Sequence, residues 1–135
     1  MNHVLETLTV KTSRRNEMVD ITSQIQTVIS KSGIDTGTVM VFCPHTTAGI
    51  TINENADPDV THDILLTLEE LLPHMRNGYR HAEGNSDAHV KSSLVGATET
   101  ITIQHGKMKL GTWQGVYFCE FDGPRRRHVN LHITG

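Results

Sequence analysis

Long apolar runs and clustered cysteines are missing from this sequence of 135 residues. No stretch is long and apolar enough for a transmembrane helix, and MNHVLETLTV lacks both the charged start and the apolar run of a signal peptide. Only Cys43 and Cys119 occur, and they form neither a CxxC pair nor a disulfide framework. We therefore expect reduced thiols and a cytoplasmic protein that has no membrane partner.

A strong charge of either sign is also missing. The formal net charge is −3, and acidic and basic residues are mixed along the chain. Proteins that bind nucleic acid usually carry a basic field that neutralises phosphates. The composition therefore argues against a nucleic-acid partner.

Aromatic residues make up only 4% of the chain, within an apolar fraction of 36%. The core must therefore be mostly aliphatic, with Phe42, Phe118, Phe121 and Trp113 as its few large side chains. The length suffices for one core, and no linker or repeat interrupts the chain. We predict one domain over residues 1–135.

Two helices are marked by apolar spacing and by end signals. Apolar residues from Ile21 to Ile29 recur at helical spacing, with Asp20 or Thr22 as the cap and Gly33 as the stop. A second helix should begin after Asp57, whose side chain is suited to an N-cap and is followed by proline. Its apolar stripe consists of Val60, Ile64, Leu68 and Leu71 and ends before a proline.

Strand patterns dominate the remainder of the chain. The predicted strands lie at residues 4–12, 38–43, 48–54, 97–104, 107–113, 115–121 and 128–134. The last strand alternates cleanly: Val129, Leu131 and Ile133 face inward, and His128, Asn130 and His132 face outward. The pattern predicts an α+β fold in which a mostly antiparallel sheet is folded as a sandwich, with two to three helices in a single domain.

Residues 79–93, YRHAEGNSDAHVKSS, hold the densest polar chemistry of the chain. His81, Glu83, Asp87 and His89 are residue types that bind divalent metals, although their spacing is not a standard zinc signature. Asp87 is alternatively the cap of a short helix, in which case His89 lies in a first turn that attracts anions. Lys91, Ser92 and Ser93 then add a positive charge and two hydroxyls. A solvated polar loop is the plain alternative.

Two further segments have the same polar character. PHTTAGITINENADPD follows a buried strand and contains His45 and Asn55, and GTWQG places Trp113 and Gln114 between two glycines. Each residue also has a structural interpretation: His45 as a turn residue, Asn55 as a turn residue, Trp113 as core. The arginines of GPRRR read as a solvated turn, and Cys119 reads as packing.

Three motifs together resemble the YjbQ-like family, small proteins labelled secondary thiamine-phosphate synthase. They are HTTAGITINENADPDV, YRHAEGNSDAHVKSSLVG and LGTWQGVYFCEFDGPR, in the family's order and over nearly the whole chain. One departure is the short spacing His81-Ala82-Glu83-Gly84, because some relatives have one more residue between the histidine and Glu-Gly. The resemblance implies a sheet sandwich that assembles into homotrimers, which in turn pair into hexamers, with a polar pocket where the motifs meet.

The resemblance also implies an activity, the coupling of hydroxymethylpyrimidine diphosphate to thiazole phosphate with release of diphosphate. A divalent metal, zinc or magnesium, would be held by His45, His81 and His89. The catalytic candidates carried over are Lys91, Glu83 and Asn55. Ser92, Ser93, Trp113 and Gln114 are expected to bind the phosphorylated substrate. Two alternatives stay open: a non-catalytic binding module for a phosphorylated metabolite, and a hydrolase in which a histidine-bound metal activates water.

Overall fold

The computed structural model describes residues 2–135, within which the chain forms three helices and eight strands. The helices are α1 (Thr22–Ser32), α2 (Pro58–Leu71) and α3 (Ser86–Val95). The strands are β1 (His3–Lys11), β2 (Glu17–Asp20), β3 (Gly37–Phe42), β4 (Ala48–Glu54), β5 (Thr98–Gln104), β6 (Lys107–Met108), β7 (Gln114–Glu120) and β8 (Arg126–Thr134). No helix in this range is long and apolar enough to span a membrane.

The strands form two antiparallel sheets. The larger has the order β1-β8-β3-β5-β6 and the smaller the order β2-β7-β4. β8 lies in the interior of the larger sheet, because it pairs with β1 along nine residues and with β3 on its other side. The prediction of an α+β sandwich with mostly antiparallel strands is confirmed.

One aliphatic core fills the space between the two sheets. The larger sheet contributes every second side chain of β8, namely Val129, Leu131 and Ile133, as the alternation predicted. α1 lies beside the smaller sheet and buries Ile25 and Ile29 in the same core. Because the inward face of β8 is apolar and its outward face polar, the register of the larger sheet is well specified.

The other face of the smaller sheet carries α2 and α3. Tyr117, Cys119 and Phe121 form a second, smaller apolar cluster there, with Ala88 of α3. α2 has no fully buried residue, and Leu71, predicted to close its apolar stripe, is 68% exposed. Burial raises the pKa of the Cys119 thiol to about 12, which agrees with its interpretation as a packing residue.

The helix ends largely follow the predicted signals. Asp57 caps α2 by accepting a hydrogen bond from the Asp59 N–H, and Pro58 is its first residue. At α1, Asp20 accepts hydrogen bonds from the N–H and hydroxyl of Thr22, and Gly33 ends the helix in the left-handed conformation. Such local signals are reliable because they act within one turn of the helix.

Other predictions were wrong. The strand expected at 107–113 ends at Met108, because Gly111 and Gln114 form a turn through two hydrogen bonds. The short strand β2 was missed. Phe42 and Trp113 are not core residues, since they are 37% and 63% exposed.

A buried ion pair joins the two sheets at one end of the sandwich. Glu120 of β7 accepts hydrogen bonds from the guanidinium of Arg127 on β8, and both side chains are almost inaccessible to solvent. The Thr12 hydroxyl also donates to Glu120, at 2.8 Å, and Arg127 donates to Thr47, at 2.8 Å. Arg127 was predicted to lie in a solvated turn; it is buried because the inward alternation of β8 extends back to it.

Removing one partner of this pair should cost stability. We expect Glu120→Ala to lower the free energy of unfolding by about 3–5 kcal/mol, because Arg127 would stay buried without its counterion. Arg125→Ala removes a more exposed ion pair with Asp122 and should cost less than about 1 kcal/mol. Urea unfolding of the two variants measures the difference, and equal losses would contradict a central role for the buried pair.

Candidate functional site

A cleft of about 420 Å³ lies between the segment before β4 and the C-terminal half of α3. Its lining residues are His45, Thr46, Ala48, His89, Ser92, Ser93, Gly96 and Ala97. α3 can approach β4 closely because Gly49 has no side chain: a Cβ there would lie 2.7 Å from the Gly96 carbonyl oxygen. We call this the histidine cleft.

His81 and His89 lie side by side at this cleft. Their ring centroids are 5.2 Å apart and the rings are perpendicular, with His89 on the lining. Glu83 stands 3.8 Å from the Nε2 of His81, and its side chain is 74% exposed. The structure therefore brings together two of the three predicted metal ligands and one predicted catalytic carboxylate.

His45 lines the same cleft from the strand side. Its Nε2 lies 2.9 Å from the His128 N and 3.1 Å from the His128 carbonyl oxygen, so the backbone of β8 contacts this nitrogen in either tautomer. Burial, and then the positive charge of Arg127, lower the pKa of His45 below its ordinary value of 6.5. The neutral ring is the form that ligates metals, and only the tautomer whose Nε2 donates to the carbonyl leaves Nδ1 free for an ion.

The hydroxyls of Ser92 and Ser93 are already used within the fold. Ser92 donates to the Thr46 carbonyl at 2.7 Å, and Ser93 donates to the His89 carbonyl at 2.9 Å. The cleft is lined by the second half of α3, whose end carries the partial negative charge of the helix dipole. The expected anion site at a helix start is therefore not what this cleft offers.

Lys91 faces away from the cleft, into a buried charge cluster. Its Nζ donates to Asp87 at 3.0 Å and to Glu69 at 2.8 Å, and the side chain is 1% exposed. Arg15 binds both oxygens of Asp87, at 2.9 and 3.0 Å. Burial raises the pKa of Asp87, but the bonds from Arg15 and Lys91 outweigh burial and hold that pKa below its usual range.

This cluster explains how α3 is oriented. The helix begins after Asn85, so the alternative in which Asp87 caps it is wrong; Asp87 instead ties α3 to the turn that contains Arg15. Asp87 and Lys91 lie on one face and His89, Ser92 and Ser93 on the other. Salt bridges on one side of α3 therefore fix the position of His89 on the other.

Asn55, Trp113 and Gln114 lie at a second cleft or near it. This cleft, of about 790 Å³, is formed by α1 and the β5–β6 hairpin and is lined by Asp20, Thr22, Ser23, Gln26, Ser30, Asn55, His105, Gly106, Lys107, Met108 and Leu110. The Nδ2 of Asn55 donates a hydrogen bond to Asp20 at 3.3 Å. The side chain of Asn55 also packs closely against Gly115, because a Cβ at residue 115 would lie only 2.5 Å from that Nδ2. Gln114 accepts a hydrogen bond from the Gly111 N–H.

Apart from the buried Lys91, the predicted site residues thus fall into two sets. Ala48, on the lining of the histidine cleft, and Asn55, on the lining of the second cleft, are separated by seven residues of extended chain, or about 23 Å. A molecule that contacts both sets on one chain would have to span about that distance. The polar stripe of α1 that lines the second cleft (Ser23, Gln26 and Ser30) was missed, although its helical spacing is visible in the sequence.

The donor chemistry of the histidine cleft fits a divalent metal in part. The neutral imidazole of His45 and the pair His81–His89 are the nitrogen donors that zinc prefers. Within residues 2–135, however, no three His, Cys, Asp or Glu side chains converge closely enough to hold an ion. The three predicted metal ligands therefore do not converge on one point within the described residues.

Comparisons with known proteins agree with this fold. The family model described as "UPF0047 protein YjbQ-like" matches residues 6–135. The UPF0047 protein YugU of Bacillus subtilis is 51% identical over 132 residues, which cover 98% of this chain and 100% of the relative. A UPF0047 protein of Methanocaldococcus jannaschii is 57% identical over 126 residues, with coverage of 93% and 91%.

Solved structures resemble the chain over nearly its full length. An uncharacterised conserved YjbQ/UPF0047 protein of Clostridium acetobutylicum superposes with a TM-score of 0.93 at 53% identity and covers 96% of this chain and 99% of its own. A YbjQ-like protein of unknown function from Sulfolobus solfataricus gives a TM-score of 0.94 at 34% identity, with coverage of 99% and 98%. None of these four descriptions states an activity.

The lowered pKa of His45 predicts a pH effect. Because the folded protein holds this ring neutral, the folded state binds fewer protons than the unfolded state at acid pH. The stabilisation is complete above about pH 6.5 and is lost as the pH falls through the lower pKa of the folded state. Urea unfolding between pH 7 and 5 should show a steeper loss of stability in the native protein than in His45→Asn. His62→Asn, at an exposed helical position, is the control and should leave the slope unchanged; parallel curves for all three proteins would contradict the inference.

Proposed function

The chain belongs to the UPF0047 YjbQ-like family, and we propose that it is a metal-dependent transferase acting on phosphorylated small molecules. The observation that carries the proposal is the histidine cleft, where His45 lines one wall and His89, with His81 packed against its ring, lines the other. Neutral imidazoles beside the negative end of α3 favour a divalent cation. A bound cation would offset the charge that develops on a leaving diphosphate.

The reaction that the resemblance implies is thiamine-phosphate synthesis. A bond forms between the thiazole nitrogen and the methylene carbon of the pyrimidine, while the carbon–oxygen bond to the diphosphate breaks and the diphosphate leaves with the electron pair. We assign His45, His81 and His89 to the ion and Glu83 to orienting His81, from which it lies 3.8 Å. Trp113, Gln114 and Asn55 are assigned to holding the organic part of the substrate.

A second candidate, a binding module without turnover, is favoured by the surroundings of Lys91. Its ammonium is the cation expected to meet the diphosphate, yet it already contacts Asp87 and Glu69 and is buried. The hydroxyls of Ser92 and Ser93 also donate to carbonyls. With these three groups committed, the chain itself supplies few donors for a leaving diphosphate.

We further propose that the functional unit is a homotrimer in which neighbouring chains share a site. The two sets of site residues are about 23 Å apart along β4, so one substrate reaches both only if they come from different chains. Assembly would also complete the coordination that a single chain leaves open. Trp113, 63% exposed, is an aromatic anchor suited to such an interface.

Metal binding is the first test. Protein purified without a tag and without chelator should carry a divalent metal, measured by elemental analysis, and His81→Ala or His89→Ala should lose it. His62→Ala, an exposed histidine on α2, is the matched control and should retain it. Absence of metal from the native protein, also after incubation with zinc or magnesium, would overturn the metal part of the proposal.

Turnover separates the two candidates. A mass-spectrometric screen with hydroxymethylpyrimidine diphosphate and thiazole phosphate should show metal-dependent formation of thiamine phosphate by the native protein. If Lys91 acts by anchoring α3, Lys91→Met, which removes the charge, should lower the free energy of unfolding. The turnover rate per folded molecule should then change little. Binding of either substrate without product supports the binding module. Release of phosphate from generic phosphoesters, abolished by chelator, supports a hydrolase instead.

The shared site is tested by mixing inactive variants. His45 and His89 line one cleft of one chain, so we expect no rescue when His45→Ala and His89→Ala subunits exchange. Mixing His89→Ala with Asn55→Ala subunits should restore activity. At some interfaces the Asn55→Ala subunit then supplies an intact histidine cleft and the His89→Ala subunit supplies an intact Asn55. Light scattering gives the assembly state: a mass near 15 kDa would refute the oligomer. Failure of the second mixture despite proven exchange would refute the shared site.

A further inference from the structure

A pair of histidines lies on the outer face of the larger sheet, away from the histidine cleft. The Nδ1 of His3 on β1 is 3.2 Å from the Nε2 of His132 on β8, and the ring centroids are 5.4 Å apart with nearly parallel planes. Within residues 2–135 no helix covers this face of β8, where every second side chain points to solvent or is only half buried. The pair contributes nothing to the function proposed above.

The spacing of the two nitrogens matches a chelating pair. Two ligands at about 2.1 Å from one ion and 3.2 Å from each other subtend an angle of about 100°, between the octahedral and the tetrahedral value. The two atoms are close enough to share one proton as a hydrogen bond. We propose that His3 and His132 form a second metal site, in which a transition-metal ion binds both nitrogens and the shared proton moves to the other nitrogen of its own ring, so that both imidazoles stay neutral.

The backbone prepares this geometry before an ion arrives. β1 pairs with β8 from His3 to Lys11, and Leu5 lies opposite His132, so the two histidines are diagonal neighbours in a continuous ladder. β8 is held on its other side by β3, where Met40 lies opposite His132. A site on paired strands needs little rearrangement to bind, which favours affinity.

The surroundings select the class of metal. Leu5, Thr134, Asn130 and Met40 are the neighbours of the pair across the ladder or along the strand, and none of them is charged. Magnesium and calcium prefer carboxylate oxygens, and none of these four side chains supplies one. Nitrogen donors, with a thioether on the neighbouring strand, favour copper, with nickel and cobalt binding more weakly.

Calorimetric titration with copper chloride tests the pair. Each single variant, His3→Gln and His132→Gln, should weaken copper binding by roughly tenfold or more, since even residues that only support a ligand have effects of that size. The double variant should bind no more weakly than either single variant, because one substitution already destroys the chelate. His62→Gln, a lone exposed histidine, should leave the affinity unchanged.

Nuclear magnetic resonance locates the ion and separates this site from the histidine cleft. His132 lies four residues along β8 from His128, which contacts His45, so the two sites are about 13 Å apart. Substoichiometric copper should broaden the amide signals of Leu5 and Thr134 in the native protein and in His89→Ala, but not in His132→Gln. Two results would overturn the second site: broadening confined to Thr46 and Gly96, or broadening of Leu5 and Thr134 that persists in His132→Gln. Neither result depends on whether the histidine cleft binds a metal.

Discussion

A carboxylate and a guanidinium buried between the sheets, Glu120 and Arg127, fix how the two halves of the sandwich meet. Two charges in a dry core are stable only when the remaining hydrogen-bonding atoms are also satisfied. Thr12 and Thr47 provide those partners, so four separate parts of the chain must arrive together. Arg127 also sets the local potential at His45, because its charge helps to lower the pKa of that ring. The pair thus joins the sheets, and its guanidinium adds to the effect of burial on His45, while Glu120 acts in the opposite direction.

α3 depends on charge in a similar way. Its sequence has polar residues on both faces and buries only Asp87, Ala88 and Lys91 fully, so the hydrophobic effect alone does not orient it. The salt bridges that leave the helix, Arg15 to Asp87 and Lys91 to Glu69, supply the orientation. Burying a carboxylate is tolerable here because two cations bind it. The face of α3 that lines the cleft is therefore polar, and the opposite face, which anchors the helix, is polar as well.

Patterns local in sequence predicted most of the fold, and contacts distant in sequence explain the errors. The alternation of β8, the N-cap of α2 and the stop of α1 at Gly33 act over a few residues and were predicted correctly. The N-cap of α1 is Ile21, which lies between the two residues predicted for that position. Arg127 was assigned to solvent because its partner Glu120 lies on another strand, although its parity already matched Val129 and Leu131. Lys91 and Ser92 were chosen for their chemistry, but residues as far away as Asn16 and Thr46 decide where their donors point. Residue types can be read from the sequence, whereas the tertiary structure determines the direction in which a hydrogen-bond donor points.

The length of β4 constrains any function that uses all three sequence motifs. β4 begins at the histidine cleft and ends next to Asn55. It pairs with β7 continuously from Ala48 to Glu54, so the strand is not bent and its two ends stay apart. Flexing a strand inside a sheet would break its ladder and the core contact of Ile50. A ligand that contacts both ends of β4 at once would have to span about 23 Å. The rigidity that positions His45 is also what separates it from Asn55.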